Sequence, residues 1–136
     1  MSQNLDRLKE AYRQWDASKG ASIDAWLALV ADQADFCSLA QGRPTVEFSA
    51  RRGTRDEVRG YLEALTAEWA MIHYTPEYFI EQGDRIVMFG ATSWRNKRTG
   101  KEVETAKADF WRFEDGKAVA FYEMFDTAAL LAAAQP

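Results

Sequence analysis

Apolar residues recur every three to four positions near the start of the chain, which is the period of an amphipathic helix. Four residues set this period: Leu5, Leu8, Tyr12 and Trp15. Gly20 follows them as a typical helix terminator. The pattern therefore predicts a helix over about residues 4–18.

Two further helices are predicted downstream. Ser22 is a suitable N-cap for a short helix that carries Ile23 and Trp26. Residues 54–57 read Thr-Arg-Asp-Glu, a capping box in which the threonine begins a helix and the glutamate occupies its third position. The residues after this box place apolar side chains on one helical face: Val58, Tyr61, Leu62, Leu65 and Trp69.

Beyond residue 71 the hydrophobic period changes to two, which is typical of β-strands. Four strands are predicted, with polar, glycine-containing turns between them: 72–81, 85–95, 102–113 and 117–125. Pro76 places the first strand at a sheet edge or at a bulge, because proline cannot donate to a strand ladder. Shorter elements are predicted elsewhere: a strand at 34–39, a loop over 40–53 with a brief strand at 46–49, and a terminal helix at 127–134.

This order of elements is typical of an α+β fold, with helices on one side of a curved antiparallel sheet. Alternation along the third long strand places Asp109 and Trp111 on one face, and Ala108 and Phe110 on the other. Both faces of the sheet therefore carry apolar side chains. Since the helices can cover only one of them, we expect a second copy of the chain to cover the other, giving a homodimer.

Composition limits the class of protein. The 136 residues fit one domain, residues 1–136, and a hydrophobic content of 47% is typical of a globular chain. The net charge is −4, and basic residues adjoin each other only at 51–52 and 97–98, so nucleic acid is not an expected partner. Cys37 is the single cysteine, which excludes an intramolecular disulfide, and zinc-ligand spacing is absent.

The first residues lack the basic start and apolar core of a signal peptide, and no apolar run reaches membrane-spanning length. We therefore expect a cytoplasmic protein with no membrane partner, no metal and no cofactor. The aromatic content is high for this length, with 5 Trp, 5 Tyr and 8 Phe. Aromatic side chains fill cores, but they also line pockets, so a pocket for a small apolar ligand is predicted.

Several segments carry a family resemblance: the helix with Tyr12, residues 28–34, the capped helix at 53–54, and residues 108–113 followed by 115–117. On these segments the chain resembles the ketosteroid isomerase and SnoaL-like branch of the nuclear transport factor 2-like superfamily, over nearly its whole length. The resemblance implies a cone-shaped α+β barrel with three helices packed on a curved antiparallel sheet. It indicates the activity poorly, because this fold carries isomerases, cyclases, hydrolases, dehydratases and proteins that are not enzymes.

The resemblance also implies site residues. The family's isomerases use a tyrosine on the first helix, an aspartate base on the first strand, and a second, protonated aspartate late in the sheet. Tyr12 and Asp109 match the tyrosine and the late aspartate, whereas the base position falls on Ser38. A serine hydroxyl does not take a proton from carbon at neutral pH without activation, which argues against the steroid isomerase reaction itself.

Glu123 is the candidate for the missing base. It alternates with Phe121 and Phe125 on the last strand, so it faces the same side as these apolar side chains. If Asp109 faces the same cavity unpartnered and protonated, the two carboxyl groups would differ in pKa and supply an acid and a base. The alternatives stay open: Asp109 at the surface or paired with a basic side chain, Tyr12 only in the core, and Glu123 in solvent.

Seven further residues are candidates for contacts with the ligand: Trp15, Phe36, Ser38, His73, Trp94, Trp111 and Phe125. Each aromatic residue among them also fits a plain core position. A single histidine at the start of a strand is usually structural. The number of aromatic side chains favours an aromatic or polycyclic ligand over a sugar phosphate.

Three functions stay open. The first is a cofactor-independent isomerase, cyclase or dehydratase for a small hydrophobic carbonyl compound, with Tyr12 and Asp109 at the oxyanion and Glu123 moving a proton. The second is a non-catalytic small-molecule binding module, which Ser38 at the base position supports. The third is a homodimeric assembly domain that works through the outer sheet face. An epoxide hydrolase of the limonene type needs an Asp-Arg-Asp arrangement, and Arg112 has the opposite parity to Asp109.

Overall fold

A computed structural model describes residues 2–136. Four α-helices are present in this part of the chain: α1 Gln3–Ala17, α2 Ile23–Leu29, α3 Arg55–Glu68 and α4 Thr127–Ala133. Six strands form one sheet: β1 Val30–Ser38, β2 Arg52–Thr54, β3 Trp69–Gln82, β4 Arg85–Asn96, β5 Glu102–Glu114 and β6 Lys117–Phe125. The fold is therefore α+β, as the order of elements predicts.

The sheet is mixed, which corrects the expectation of a purely antiparallel one. Its strand order is β2-β1-β6-β5-β4-β3, and β1 runs parallel to β6 while all other neighbours are antiparallel. Hydrophobic alternation has the same period in both kinds of pairing, so the sequence pattern does not show strand direction. The structure also has a fourth α-helix, α4, where the resemblance implies three on the sheet.

Side-chain caps set the helix starts. The Ser2 hydroxyl accepts a hydrogen bond from the Leu5 amide at 3.0 Å at the start of α1. The Thr54 hydroxyl accepts from the Glu57 amide at 3.2 Å at the start of α3, which confirms the predicted cap. The Glu57 carboxylate reaches back to the Gly53 amide at 2.9 Å, one residue before the N-cap.

The first strand and the segment after it differ from the prediction. β1 begins at Val30, ahead of the predicted 34–39, because the chain passes directly from α2 into the sheet. Residues 47–49 form a short 3₁₀ helix, so the brief strand predicted at 46–49 is wrong. The third difference is β2, which lies in the predicted loop and pairs with β1 at only two positions. A pairing this short leaves no alternating pattern.

β3 is an edge strand with two bulges, as Pro76 indicates. The first bulge lies between Met71 and His73, and the second lies between Pro76 and Tyr78. Gly90, opposite the second bulge, lacks space for a side chain, since a Cβ there would lie 2.2 Å from a backbone oxygen of β3. The strand can thus bend closely over β4 at this point.

The face of the sheet away from the helices carries two apolar rows that cross four strands each. One row is Tyr78, Phe89, Ala108 and Met124, and the other is Ile80, Val87, Phe110 and Tyr122. Tyr78 and Ile80 are 52% and 58% exposed, which is high for large apolar side chains. The expectation that a second copy covers this face stays a prediction. Within residues 2–136, no helix has the length and hydropathy to span a membrane.

Candidate functional site

A cavity of about 70 Å³ lies between the helices and the inner face of the sheet. Aromatic side chains dominate its wall, and all five tryptophans of the chain take part: Trp15, Trp26, Trp69, Trp94 and Trp111. Almost every lining residue is buried, and Leu65 on α3 is the half-buried exception. We therefore expect ligand entry next to Leu65, because its side chain is the most exposed of those that line the cavity.

A charged group interrupts this apolar wall. Asp109 on β5 lies directly opposite Glu123 on β6 in the strand register. Lys107 precedes Asp109 by two residues, so all three side chains point to the cavity face. The Lys107 ammonium lies 2.7 Å from Asp109 Oδ1 and 3.0 Å from Glu123 Oε1. Their side chains are at most 10% exposed, so this ion cluster is shielded from solvent.

Three tyrosines from three different elements reach the same two carboxylates. The Tyr12 hydroxyl, on α1, donates to Asp109 Oδ2 at 2.6 Å. The Tyr74 hydroxyl, on β3, donates to the same oxygen at 2.8 Å. Tyr61, on α3, donates to Glu123 Oε2. The helices and the edge strand thus close the site over the centre of the sheet.

The directions of these hydrogen bonds follow from their donors. The Tyr12 oxygen accepts from the Trp111 indole N–H at 2.9 Å, which leaves its own proton for Asp109. The Tyr74 oxygen accepts from Lys107 at 2.7 Å, so the Tyr74 hydroxyl likewise donates its own proton to Asp109. Asp109 therefore accepts three hydrogen bonds, including one from Lys107. This agrees with the alternative in which Asp109 pairs with a basic side chain, and it differs from the unpartnered carboxyl that would donate a proton.

Burial and charge together shift the pKa values of the cluster. Burial is the main cause that raises the pKa of Tyr12, Tyr61 and Tyr74, and the neighbouring carboxylates add to it. Burial acts to lower the pKa of Lys107, but the Asp109 and Glu123 carboxylates outweigh it and raise that pKa above the usual lysine range. The tyrosines thus stay protonated donors, and the lysine stays a cation.

The cluster has one cation for two carboxylates, so its formal charge is +1 − 2 = −1 when both carboxylates are ionised. In such an arrangement, hydroxyl and ammonium groups can donate hydrogen bonds to a developing oxyanion, and a carboxylate can accept a proton. Among the described residues, no group of three or more His, Cys, Asp or Glu side chains is placed to hold a metal ion.

The structure brings together the three residues that the sequence nominates for chemistry: Tyr12, Asp109 and Glu123. Five of the seven candidate ligand contacts line the same cavity: Trp15, Phe36, Trp94, Trp111 and Phe125. Strand alternation explains the inward position of Trp111 and Phe125, because β5 and β6 alternate regularly along the stretch that lines the cavity.

Ser38 and His73 lie outside the cavity wall. Ser38 is buried across from Glu123 in the register, but its hydroxyl accepts from the Ala40 amide at 3.2 Å and serves the turn after β1. His73 bonds to Thr75 Oγ1 and Glu104 Oε1 on the outer face. The bulge after Met71 reverses the alternation, so Tyr74 points inward where the simple period of two would place His73.

Three members of the cluster were not predicted: Lys107, Tyr61 and Tyr74. Lys107 had a readable signal, since it shares the parity of Asp109 and is a charged residue in an apolar alternation, the argument applied to Glu123. Tyr61 lies on the predicted apolar face of α3, where a hydroxyl group needs a buried partner. Tyr74 gave no such signal, because the bulge that turns it inward is not visible in the pattern.

Comparisons with known proteins agree with this architecture. An NTF2-like protein of unknown function from Burkholderia pseudomallei shares 27% identity over 100% of both chains, with a TM-score of 0.84. An NTF2-like protein from Burkholderia thailandensis shares 26% identity over 100% of both chains, with a TM-score of 0.83. TerC, co-crystallised with polyporic acid, has a TM-score of 0.82 at 21% identity and covers 99% of this chain and 100% of its own.

A search of curated proteins found no match. The family model of the SnoaL-like domain matches residues 9–121. This range includes α1 from Lys9 onward, the cavity-lining strands as far as Phe121, and all of the cluster except Glu123. The match thus extends over most of the chain, and the solved structures share its fold from end to end. The chain belongs to the SnoaL-like domain family.

Proposed function

We propose that this protein binds a small hydrophobic carbonyl compound in the cavity and transfers a proton on it, as an isomerase, cyclase or dehydratase does. One observation carries the proposal. A buried lysine lies between two carboxylates and three tyrosine hydroxyls on the wall of a cavity that is otherwise aromatic. Groups whose pKa values are shifted by burial and by specific partners mark functional sites more often than structural ones.

Stability alone accounts poorly for such a cluster. Removing charged groups from water costs several kcal/mol for each ion, and well-packed apolar residues often replace a buried ion pair without loss of stability. Most of the other side chains that line the cavity are apolar, and apolar residues at positions 107, 109 and 123 would fill the same space. A role in ligand chemistry supplies the missing reason for the charges.

The roles follow from the hydrogen bonds. Asp109 accepts hydrogen bonds from three donors, whereas Glu123 accepts one, from Tyr61, and forms an ion pair with Lys107. Glu123 is held by fewer hydrogen bonds than Asp109, so it has fewer to give up when it takes a proton. Glu123 is therefore assigned the proton transfer, and Asp109 holds the donors in place. An enolate oxygen would take the Tyr12 hydroxyl or the Lys107 ammonium as its donor, and that donor would give up its present hydrogen bond to Asp109.

TerC supports the choice of a small organic ligand, since its structure with polyporic acid shows that a protein of this fold can be crystallised with such a compound. At 21% identity the comparison concerns the fold and not the reaction. The ligand class proposed for this chain rests on its own aromatic cavity.

The proposal can be tested without knowledge of the natural substrate. The test follows by NMR the exchange of the acidic α-protons of 1-indanone in D₂O. The native protein is expected to accelerate the exchange, and Glu123→Gln is expected to reduce that acceleration by roughly 100-fold or more. Glu104→Gln is the matched control, because Glu104 is on the outer face and 68% exposed. A native rate in both Glu123→Gln and Asp109→Asn would refute the assignment.

A non-catalytic binding module is the second candidate, and one observation favours it. The polar groups of the cluster already hydrogen-bond one another, so none is left unpaired for a substrate. In the exchange experiment this function predicts a protein that binds 1-indanone without accelerating exchange. A third candidate, a homodimeric assembly domain, uses the two apolar rows of the outer face, and light scattering of Phe110→Lys against the native protein tests it.

A further inference from the structure

The buried ion cluster has more negative than positive charge. Among the described residues that line the cavity, Lys107 is the single basic one, and it lies between the carboxylates of Asp109 and Glu123. One carboxylate therefore has no cation of its own when both are ionised. Buried charges in proteins are normally paired, because an unpaired charge loses its hydration without compensation. The partner that the cluster lacks is a single positive charge.

The donors of the cluster are all in use. An ammonium group has three N–H donors, and that of Lys107 lies 2.7 Å from the Tyr74 oxygen, 2.7 Å from Asp109 Oδ1 and 3.0 Å from Glu123 Oε1. Each of the three tyrosine hydroxyls already donates to a carboxylate. A ligand that only accepts hydrogen bonds must therefore break one of these contacts before the cluster can donate to it.

Acceptor positions, in contrast, are left over on Glu123. A carboxylate has roughly four lone-pair positions that can accept hydrogen bonds. Only two groups contact the carboxylate of Glu123, the Tyr61 hydroxyl and the Lys107 ammonium. The Glu123 side chain lines the cavity and is 5% exposed, so part of it is open to that space. A ligand that donates hydrogen bonds can therefore bind Glu123 while every present contact is kept.

The aromatic wall of the cavity favours the same sign of charge. Twelve of the twenty residues that line the cavity are Trp, Tyr or Phe, and the negative faces of aromatic rings attract cations. The cavity already contains such contacts, since the Lys107 ammonium lies 5.1 Å from the ring centroid of Tyr74 and 5.7 Å from that of Phe121. The charge of the cluster, its open acceptor positions and its aromatic surroundings thus all suit a cation.

We propose that the cavity binds a small protonated amine, with an N–H group directed at the Glu123 carboxylate and its alkyl groups against the aromatic wall. The volume of about 70 Å³ is roughly half of that which holds benzene, so such a ligand has roughly three to five heavy atoms if no side chain moves. One positive charge suffices, because the cluster lacks one. This inference goes beyond the proposed function, since it requires no proton transfer on carbon.

Diethylamine and diethyl ether are suitable probes, because they have the same shape and differ only in the central atom. At neutral pH the amine is a cation that donates hydrogen bonds, whereas the ether is neutral and only accepts them. Titration calorimetry with the native protein should show that diethylamine binds more tightly by roughly tenfold or more, since hydrogen bonds between charged groups are the strong ones. Equal affinity for the two probes, tighter binding of the ether, or no binding of either would overturn the inference.

Two variants change the charge of the cluster in opposite directions. Glu123→Gln leaves one carboxylate for one cation, so diethylamine should bind more weakly by roughly tenfold or more, while the affinity for diethyl ether stays the same. Lys107→Met leaves two carboxylates without a cation, so diethylamine should bind more tightly than to the native protein. Glu104→Gln is the matched control, because that carboxylate is 68% exposed on the outer face. Native affinity for diethylamine in both cluster variants would refute the inference.

Thermal unfolding provides a second measurement for the case that Lys107→Met is too unstable for calorimetry. A ligand that binds only the folded state raises the Tm, so diethylamine should raise the Tm of Lys107→Met more than that of the native protein, and diethyl ether should not. An equal effect of the two probes would contradict the inference. The exchange of 1-indanone α-protons tests the proposed function separately. Exchange without diethylamine binding would leave only the proposed function standing, and diethylamine binding without exchange would leave only the amine site.

Discussion

Lys107→Met removes the single cation that lies between two buried carboxylates. The lysine contacts Asp109 Oδ1 at 2.7 Å and Glu123 Oε1 at 3.0 Å, and each contact has a gross Coulomb energy of about 6 kcal/mol at an effective dielectric constant of about 20. Desolvation offsets most of this energy. Breaking a buried pair nonetheless costs about 3–5 kcal/mol, because a charge is left without its partner.

The pH dependence of the stability loss shows whether its cause is an unpaired buried charge or lost side-chain packing. In the native protein the pKa of Lys107 is raised above its usual value of 10.5, so its stabilising contribution is complete below that value and is lost only as the pH rises further. In the variant, the two buried carboxylates have lost their cation, so protonation of one of them relieves an uncompensated buried charge in the folded state. The folded state then binds more protons than the unfolded state, so the deficit shrinks as the pH falls toward about 4.

Urea unfolding at about pH 7 and about pH 5 measures both the loss of unfolding free energy and its dependence on pH. We expect the unfolding free energy of Lys107→Met to be about 3–5 kcal/mol lower than native at neutral pH, with a smaller loss at the acidic pH. Lys101→Met, at an exposed lysine, is the control and should change stability by less than about 0.5 kcal/mol. A second variant, Lys107→Met with Glu123→Gln, should recover part of the loss. A deficit independent of pH would refute the reasoning.

Two further predictions concern the same cavity. Tyr12→Phe deletes the donor to Asp109 and the acceptor of the Trp111 indole, so urea unfolding should show a loss of about 1–3 kcal/mol, and a loss below about 0.5 kcal/mol would contradict it. Leu65→Ala shortens the half-buried side chain at the expected entrance of the cavity. Stopped-flow tryptophan fluorescence should then show faster association of 1-indanone than with the native protein. An unchanged association rate would place the entrance elsewhere.

The expected effect of Leu65→Ala on the association rate follows from the small size of the cavity. Its volume of about 70 Å³ is roughly half that of an engineered cavity of about 150 Å³ that holds benzene. A ring compound therefore requires side chains to move before it fits. Leu65 is the lining residue with the most freedom to move, because the other lining side chains are buried. Association should accordingly be slower than diffusion in the native protein.

Local patterns in the sequence determined the helices, the long strands and which residues of one strand share a face. A period of 2 placed Asp109 and Trp111 on the same face of β5, while the inward orientation of Glu123 stayed one of two alternatives until the register of β5 and β6 was known. The cap at Thr54 and the family resemblance were likewise visible, since both depend on short stretches of residues. The edge position of Pro76 followed from its missing N–H.

Only the tertiary structure decided which side chains of the site hydrogen-bond to one another. Tyr12 and Asp109 are 97 positions apart, and Tyr61 and Glu123 are 62 apart, so their hydrogen bonds depend on how helices are placed over the sheet. The bulge in β3 exchanged His73 for Tyr74 on the inner face. Strand direction, the short β2 pairing and such bulges are set by register between distant segments, which leaves no period along the chain.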